Sequence, residues 1–255
     1  MRFAALRAFI SGAASGLGHA VAARIIAAGG QAVLFDLNAA QGAAAAAELG
    51  PRAHFCAGDV TDEASIEEAL AGVRAKLGGL DLAVNCAGIG TAGRLIGRSG
   101  PMSAAFFRRM IEINLVGTAL CSKAAALLMQ QNSANAQGER GLIVMTASIA
   151  AFDGQIGQVA YAASKGGIVA MTLPMARELA SSGIRVVTIA PGIFLTPMLA
   201  ALPEAAQHSL GQQVPFPARL GRPEEYAALV EHIAENSMLN GETIRLDGAL
   251  RMAPR

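Results

Sequence analysis

The feature that most constrains the fold is a series of short apolar runs separated by stretches rich in helix-forming residues. The runs are continuously apolar, as in strands that are buried on both faces of a parallel sheet. The segments between them are long enough for the helices that connect parallel strands. This pattern predicts a doubly wound α/β fold, with a mostly parallel sheet of seven strands and helices on both faces. The predicted strands are 8–11, 32–36, 53–59, 80–85, 142–146, 184–190 and 242–246.

No domain boundary is predicted. The chain has 255 residues, which fits a single α/β domain. The polar tract 130–140 resembles a linker, but a strand follows it directly, so we interpret it as a surface loop. We therefore predict one domain over residues 1–255.

Composition argues against several classes of partner. The 20 Lys and Arg residues and 19 Asp and Glu residues give a net charge of +1, without the basic excess of nucleic-acid-binding proteins. Hydrophobic residues make up 53% of the chain and charged residues only 15%. This composition can fill a large core and still leave apolar surface, which favours an oligomer.

Cysteines and histidines give no indication of a disulfide framework or a metal site. The 3 cysteines are widely spaced, and the 4 histidines have no metal-ligand spacing, so we expect a reducing compartment and no metal. The first predicted strand begins too early for a signal peptide, and no apolar run approaches the ~18 residues of a membrane span. These features predict a cytoplasmic protein without a membrane partner, with an organellar matrix as the alternative location.

A glycine-rich turn, SGAASGLG at 11–18, lies between the first strand and a helical stretch. Glycines let the backbone approach a pyrophosphate, and a helix N-terminus offers free N–H donors. Asp36 ends the next strand, where its carboxylate can accept hydrogen bonds from an adenine ribose and repel a 2′-phosphate. The spacing predicts a Rossmann dinucleotide site with NAD favoured over NADP. A simple tight turn, and an aspartate that caps the next turn, are the alternatives.

Two further groups follow predicted strands at the same edge of the sheet. They are Asp59-Val60 and Asn85-Cys86-Ala87-Gly88. Open α/β sheets bind ligands at the carboxyl ends of their strands, so these residues and the glycine turn predict an adenine pocket.

The sharpest chemical signal is Tyr161, four residues before Lys165, in a chain with only 2 tyrosines. This spacing places phenol and ammonium on one helical face, where the cation is expected to lower the tyrosine pKa from its usual ~10. Ser148 follows a strand, and its hydroxyl could bind a reacting oxygen. Asn114 is polar within an apolar helical run. A solvated Tyr/Lys pair and a structural asparagine are the alternatives.

Together these motifs resemble those of the short-chain dehydrogenase/reductase family, as does Pro191-Gly192. Two positions depart from the family pattern, since Ser11 replaces Thr and Cys86 replaces Asn. The resemblance implies that Tyr161, as phenolate, removes the hydroxyl proton of an alcohol while hydride passes to the nicotinamide. It also implies that Lys165 lowers the phenol pKa and binds the nicotinamide ribose, that Ser148 orients the reacting oxygen, and that Asn114 holds a water connecting Lys165 to solvent.

Within that family, five segments are similar to the type 2 3-hydroxyacyl-CoA dehydrogenases. The similarity implies NAD-linked interconversion of 3-hydroxyacyl-CoA and 3-oxoacyl-CoA by a homotetramer. The alternatives are a hydroxysteroid or other secondary-alcohol dehydrogenase, and a nucleotide-binding scaffold without turnover. The five segments are 150–158, 161–174, 189–197, 213–217 and 240–252.

The predicted cofactor site and its surroundings follow from these motifs. The loop 90–103 looks shorter than in those relatives; its Arg94 and Arg98 either meet CoA phosphates or are simply solvated. Segment 193–218 is predicted to be a mobile lid over the substrate, with a structural loop as the alternative. The NAD-binding residues are predicted to be Ser11, Gly12, Ser15, Gly16, Leu17, Gly18, Asp36, Asp59, Val60, Asn85, Cys86, Ala87, Gly88, Tyr161, Lys165, Pro191, Gly192, Phe194 and Thr196.

Overall fold

The computed structural model describes residues 1–98, 100–200 and 203–254. All seven predicted strands are present and form one sheet, in which every neighbouring pair is parallel. A short antiparallel hairpin, which the sequence did not predict, adds β5 and β6. The strands are β1 (Arg7–Ser11), β2 (Gln31–Asp36), β3 (Ala53–Ala57), β4 (Leu82–Asn85), β5 (Ile96–Gly97), β6 (Gly100–Pro101), β7 (Gly141–Thr146), β8 (Ile184–Pro191) and β9 (Thr243–Leu246).

The strand order creates a crevice at the centre of the sheet. The order is β3-β2-β1-β4-β7-β8-β9, so β1 pairs with β2 on one side and with β4 on the other. The chain therefore leaves β1 in one direction and later returns on its other side. Such a switch point leaves an opening at the carboxyl ends of the two central strands, which is where ligands bind in this class of fold.

Helices cover both faces of the sheet. Residues of α1, α2 and α9 pack in one core cluster, and residues of α3, α5 and α6 pack in the other. Adjacent strand residues point to opposite faces, so Phe9 enters the second cluster and Ile10 the first. The helices are α1 (Gly16–Ala27), α2 (Ala39–Leu49), α3 (Glu63–Leu77), α4 (Ala104–Ile111), α5 (Gly117–Met129), α6 (Val159–Leu179), α7 (Pro197–Ala200), α8 (Glu204–Gly211) and α9 (Pro223–Glu235).

One continuous helical stretch, Ala104–Met129, is long and apolar enough to cross a membrane, by length and composition only. The sequence prediction counted uninterrupted apolar residues, whereas the average hydropathy over a helix tolerates Glu112 and Lys123. In this fold the stretch is a core helix. Its α5 part buries Cys121 and Met129 against the sheet.

The same stretch contains a π-helical segment, Glu112–Val116, between α4 and α5. A π segment accommodates an additional residue in the helix and commonly occurs at functional sites. Asn114 lies in this segment and is fully buried.

The predicted lid contains two short helices, α7 and α8, rather than irregular chain alone. Ala201 and Leu202, within the lid, and Ser99, within the loop 90–103, lie outside the described residues. The motion of the lid stays a prediction.

Candidate active site

A cavity of about 630 Å³ opens at the switch point between β1 and β4. Its volume lies in the usual range for a cofactor site. Most residues of the predicted NAD site line it, which brings together the ends of β1, β2, β3 and β4. These residues are Gly12, Ser15, Gly16, Leu17, Gly18, Asp36, Asp59, Val60, Cys86, Ala87, Gly88 and Thr196.

Glycine is required at two positions of the turn for steric reasons. Gly12 has φ +68°, and a Cβ there would lie 2.6 Å from the backbone nitrogen of Ala87. A Cβ at Gly18 would lie 2.4 Å from the carbonyl oxygen of Gly12, so helix α1 could not pack as closely on the turn. The glycines therefore let the first strand, the turn and the start of α1 meet at one point.

The start of α1 offers hydrogen-bond donors to a ligand. A helix leaves the N–H groups of its first turn without intrahelical partners, and these groups attract anions. Ser15 precedes the helix, and its side chain makes no capping hydrogen bond with any described residue. Gly16, Leu17 and Gly18, in the first turn, all line the cavity. A pyrophosphate could therefore use these donors.

Asp36 lies at the cavity wall and holds the turn in place. Its Oδ2 accepts a hydrogen bond from the backbone N–H of Ala14 at 3.0 Å, and its Oδ1 accepts from that of Asn38 at 3.0 Å. The capping contact that was the alternative interpretation is thus present. It does not exclude the ribose role, because each carboxylate oxygen has a second lone pair and Asp36 also lines the cavity.

Five predicted cofactor residues at strand ends do not line this cavity. Ser11 and Asn85 are buried beneath it, where the Asn85 side-chain amide donates to Ser122 Oγ at 2.9 Å. Pro191 is the last residue of β8, and the N–H of the following Gly192 donates to the Leu246 carbonyl at 2.9 Å. Phe194 is buried in the core that contains α1 and α9, so it could meet a cofactor only through its backbone.

The predicted catalytic residues lie behind Gly88, which lines the cavity. A Cβ at Gly88 would lie 3.0 Å from Asn114 Oδ1 and 3.6 Å from Lys165 Nζ. A Cβ at Gly90 would lie 3.8 Å from the Tyr161 ring. The fold thus brings the cofactor cavity and the predicted catalytic residues to one site.

The Ser148 hydroxyl lies near the Tyr161 phenol, close enough to lower its pKa. Ser148 begins the short helix Ile149–Ala151, and its Oγ also accepts from the Ala150 N–H at 3.1 Å. Tyr161 lies in the first turn of α6 and is partly buried. A carbonyl or hydroxyl oxygen between the two side chains could contact both hydroxyl groups.

Lys165 does not lower the pKa of Tyr161 as expected. Burial raises the pKa of Tyr161 above its usual value, and the hydrogen bond from Ser148 offsets only part of this increase. The reason is geometric, because Lys165 Nζ lies 5.8 Å from the centre of the Tyr161 ring and donates instead to the Thr146 carbonyl at 2.8 Å.

Lys165 is itself buried, and its environment disfavours the ammonium form. Only 6% of its surface is exposed, and burial lowers its pKa from 10.5 to about 8, with Cys86 raising it slightly. A group with this pKa gains or releases a proton readily near neutral pH. It is therefore suited to a proton path as well as to binding.

Asn114 makes more protein contacts than the sequence suggested. Its Oδ1 accepts from the Ile89 N–H at 2.8 Å, and its Nδ2 donates to the Ile89 carbonyl at 2.9 Å and to Ser164 Oγ at 3.0 Å. It therefore joins the π segment to the chain after Gly88 and to α6. Its role with a water molecule stays a prediction.

Sequence reasoning missed several residues of the site. Leu37, Thr61, Arg109 and Glu112 also line the cavity, and the loop and helix patterns gave no reason to select them. Tyr226, the second tyrosine, lies fully buried beneath the site with its hydroxyl 2.7 Å from Thr146 Oγ1. The scarcity of tyrosine was the one signal that could have found it. Among residues 1–98, 100–200 and 203–254, no group of three or more His, Cys, Asp or Glu could hold a metal.

Comparison with known proteins identifies the family. The short chain dehydrogenase family profile matches residues 7–207. The protein belongs to the short-chain dehydrogenase family. It is 52% identical over 251 residues to the 3-hydroxyacyl-CoA dehydrogenase type-2 of Bos taurus, covering 98% of this chain and 96% of the relative. The predicted family and the predicted fold are both confirmed.

Two solved structures extend the comparison. A 3-hydroxyacyl-CoA dehydrogenase type-2 from Mycobacterium avium superposes with a TM-score of 0.93 at 42% identity, covering 97% of this chain and 96% of that chain. A 7α-hydroxysteroid dehydrogenase, complexed with NADH and 7-oxo glycochenodeoxycholic acid, superposes with a TM-score of 0.88 at 29% identity, covering 98% and 96%. Family membership and the NADH complex of this second structure indicate a nicotinamide cofactor.

Proposed function

We propose that the protein is an NAD-dependent 3-hydroxyacyl-CoA dehydrogenase. One observation carries the choice within the family, namely 52% identity that spans 98% of this chain to a relative of that name. The steroid enzyme of similar fold is only 29% identical. A hydroxysteroid or other secondary alcohol is the second candidate substrate, since the fold alone also fits it.

The cavity fits a nicotinamide dinucleotide. Gly12 and the first turn of α1 would hold its pyrophosphate, and Asp36 would bind the adenine ribose and favour NAD over NADP. Lys165 would hold the nicotinamide ribose. When bound, the nicotinamide accepts the hydride that leaves the alcohol carbon.

The protein's own residues position and deprotonate the alcohol. Ser148 and Tyr161, whose hydroxyl groups lie near each other, would both contact its oxygen. Tyr161 as phenolate removes the hydroxyl proton as general base. Because burial raises the pKa of Tyr161 in the protein alone, positive charge from the oxidised cofactor and from Lys165 must favour the phenolate when the site is filled. Lys165 and a water held near Asn114 would carry the proton to solvent.

The charge beside the cavity supports a CoA thioester as substrate. Between Asp81 and Glu112 the chain contains Arg94, Arg98, Arg108 and Arg109 but no Asp or Glu. All four arginines are exposed, and among the described residues none pairs with a carboxylate. Unpaired guanidinium groups bind phosphates well, and CoA carries three phosphates whereas a steroid alcohol carries none.

A substrate panel tests the proposal. NADH formation is measured with NAD and a series of 3-hydroxyacyl-CoA chain lengths, beside hydroxysteroids and simple secondary alcohols. The proposal expects the highest kcat/KM with a CoA thioester. A higher kcat/KM with a steroid would support the second candidate. No turnover of any member of the panel, with NAD binding retained, would support the non-catalytic scaffold.

We also propose that the protein is a homotetramer. The support is its large apolar fraction and the exposed apolar side chains on α5 and α6, among them Leu127, Val159 and Leu173. Light scattering of the purified protein measures the assembly directly, and a monomer at micromolar concentration would contradict the proposal.

A further inference from the structure

The remaining tyrosine, Tyr226, reaches the floor of the active site from the opposite end of the chain. It lies in the first turn of α9, which begins at Pro223, and its side chain is fully buried. Glu225 fixes this end of the helix, since its side chain accepts from the Arg222 N–H at 2.7 Å and from the Arg219 guanidinium. The Tyr226 ring therefore enters the core from a well-anchored helix start.

The phenol of Tyr226 has polar partners in an otherwise apolar core. Its hydroxyl lies 2.7 Å from Thr146 Oγ1, and the Cys86 thiol donates weakly to it at 3.9 Å. Thr146 Oγ1 is also within 3.5 Å of the Cys86 sulfur. A buried hydroxyl without a partner is unfavourable, so the Tyr226–Thr146 hydrogen bond fixes both side chains.

Thr146 joins this buried contact to both sides of the catalytic site. It is the last residue of β7, and its carbonyl accepts the hydrogen bond from Lys165 Nζ at 2.8 Å. Ser148 lies two residues after Thr146. Between them, the Ala147 N–H donates to the Ile189 carbonyl of β8 at 2.8 Å. A shift of Thr146 would therefore displace the acceptor of Lys165 and the start of the turn that bears Ser148.

We propose that Tyr226 is a positioning residue for the dehydrogenase reaction, acting through Thr146 on Lys165 and Ser148. The inference rests on the function proposed above. Tyr226 is fully buried and does not line the cofactor cavity. Its phenol holds the end of β7 so that Lys165 and Ser148 keep the spacing that proton removal needs, and such spacing affects rate steeply. Simple core filling is the contrasting explanation, and a phenylalanine fills the same space.

The first experiment is Tyr226→Phe, with kcat, KM and NAD affinity measured separately. We expect kcat to fall about fivefold or more, with KM and NAD affinity changed by less than about twofold, because a lost positioning hydrogen bond acts on the reacting geometry. An unchanged kcat would overturn the proposal.

A matched control separates positioning from a general loss of stability. Thr172 and Thr188 form another buried hydroxyl pair, at 2.6 Å, between α6 and β8. Thr188→Val should lower the melting temperature and leave kcat unchanged. If Thr188→Val lowered kcat as much as Tyr226→Phe does, Tyr226 would have no specific role.

The second pair of variants keeps the test decisive if Tyr226→Phe does not fold. Thr146→Val removes the partner hydroxyl and should reproduce the loss of kcat, whereas Thr146→Ser retains a hydroxyl and should restore most of it. Equal activity of the two variants would contradict the proposal. Cys86→Ala should have a smaller effect than either Tyr226→Phe or Thr146→Val, since its sulfur contacts are long.

A titration distinguishes failure of this inference from failure of the proposed function. The groups that titrate near Lys165 are Tyr161 on its own helix and Cys86 at the end of β4, with Tyr226 facing it through Thr146. The chain has 2 tyrosines and no Trp, so tyrosinate absorbance reports on Tyr161 first, because burial raises the pKa of Tyr226 well above its usual value.

With NAD bound, the Tyr161 midpoint should lie higher in Tyr226→Phe than in the unmodified protein, because a less firmly held ammonium stabilises the phenolate less. This readout needs no substrate. If no acyl-CoA is turned over but the midpoint shifts, the proposed substrate is wrong and the positioning role stands. An unmoved midpoint overturns the positioning role even in an active enzyme.

Discussion

The cofactor side and the predicted substrate side of the active site are built in different ways. On the cofactor side, the turn at Gly12 and the start of α1 are fixed by backbone contacts, and a Cβ at Gly12 would be only 2.6 Å from the Ala87 nitrogen. On the predicted substrate side, the segments that precede the β5–β6 hairpin and helix α7 present exposed side chains such as Arg94 and Leu195. Backbone contacts restrict which residues are allowed, whereas exposed side chains can change freely. The cofactor class is therefore readable from local sequence motifs, whereas the substrate class is inferred from similarity over the whole chain and from exposed charges.

The largest expected effect lies where the two sides meet. Tyr161→Phe should lower kcat by about 10²–10⁴-fold, because it removes the general base and little else. NAD affinity, measured by fluorescence or calorimetry, should be retained. A variant that keeps more than about a tenth of the rate would show that Tyr161 is not the base.

The next largest effect tests whether backbone contacts require glycine at position 12. Gly12→Ala should weaken NAD binding by about 100-fold, because the new methyl group meets the Ala87 backbone and strains a left-handed residue. Gly72→Ala is the matched control, since a Cβ at Gly72 has no described atom within 4 Å. Equal NAD affinity of the two variants would contradict the steric argument.

Lys165 lies between the two sides, and its buried ammonium group destabilises the folded protein. Its pKa of about 8 lies below the 10.5 of an unfolded chain, so the buried ammonium opposes folding below pH 8. Replacing it by methionine should raise the unfolding free energy at pH 7 by about 2 kcal/mol, after allowing for the lost hydrogen bond.

The pH dependence has a defined sign. Below pH 8 the lysine is protonated in both states, and the full cost is present. Between about pH 8 and 10.5 the folded protein has released the proton and the unfolded chain has not, so the unmodified protein gains stability relative to Lys165→Met as pH rises. Melting temperatures of both proteins from pH 6 to 10 measure this; a difference that stays constant would rule out the buried ammonium as its cause.

The cofactor preference should depend on one charge. Asp36→Asn keeps an oxygen that can accept from the Ala14 N–H but removes the repulsion of a 2′-phosphate. The ratio of kcat/KM with NAD to that with NADP should fall by about tenfold. Asp59→Asn alters another carboxylate of the cavity and should leave the ratio unchanged.

The smallest effect is expected on the substrate side. Arg94→Gln and Arg98→Gln should each raise KM for the CoA thioester by about two- to fivefold, as for exposed charge pairs. KM for the corresponding pantetheine thioester, which lacks the nucleotide phosphates, should not change. Arg177→Gln, at the far end of α6, is the control. An equal rise in KM for both thioesters would show that these arginines do not bind the phosphates.

The sequence predicted the seven strands and the edge of the sheet that bears the site. Continuous apolar runs and glycine turns depend on residues that are neighbours in the chain, so they can be recognised without the fold. It did not predict the contact between Tyr226 and Thr146, which are 80 residues apart and are joined only by the packing of α9. The sequence also did not predict the direction of the Tyr161 pKa shift. An i, i+4 spacing places two side chains on one helix face, but it does not determine which acceptor Lys165 donates to.

β1 lies next to the central strand of the sheet, β4, and is the first of the sheet's strands in chain order. β1 can pair with β2 as soon as both have been synthesised, but the partner of its other edge, β4, follows more than 70 residues later. During that interval the apolar, unpaired edge of a three-stranded half-sheet is exposed, a common starting point for aggregation. A slowly translated stretch before β4 would lengthen this exposure, so the yield of folded protein should respond to the codons chosen for α3 more than to those for α9.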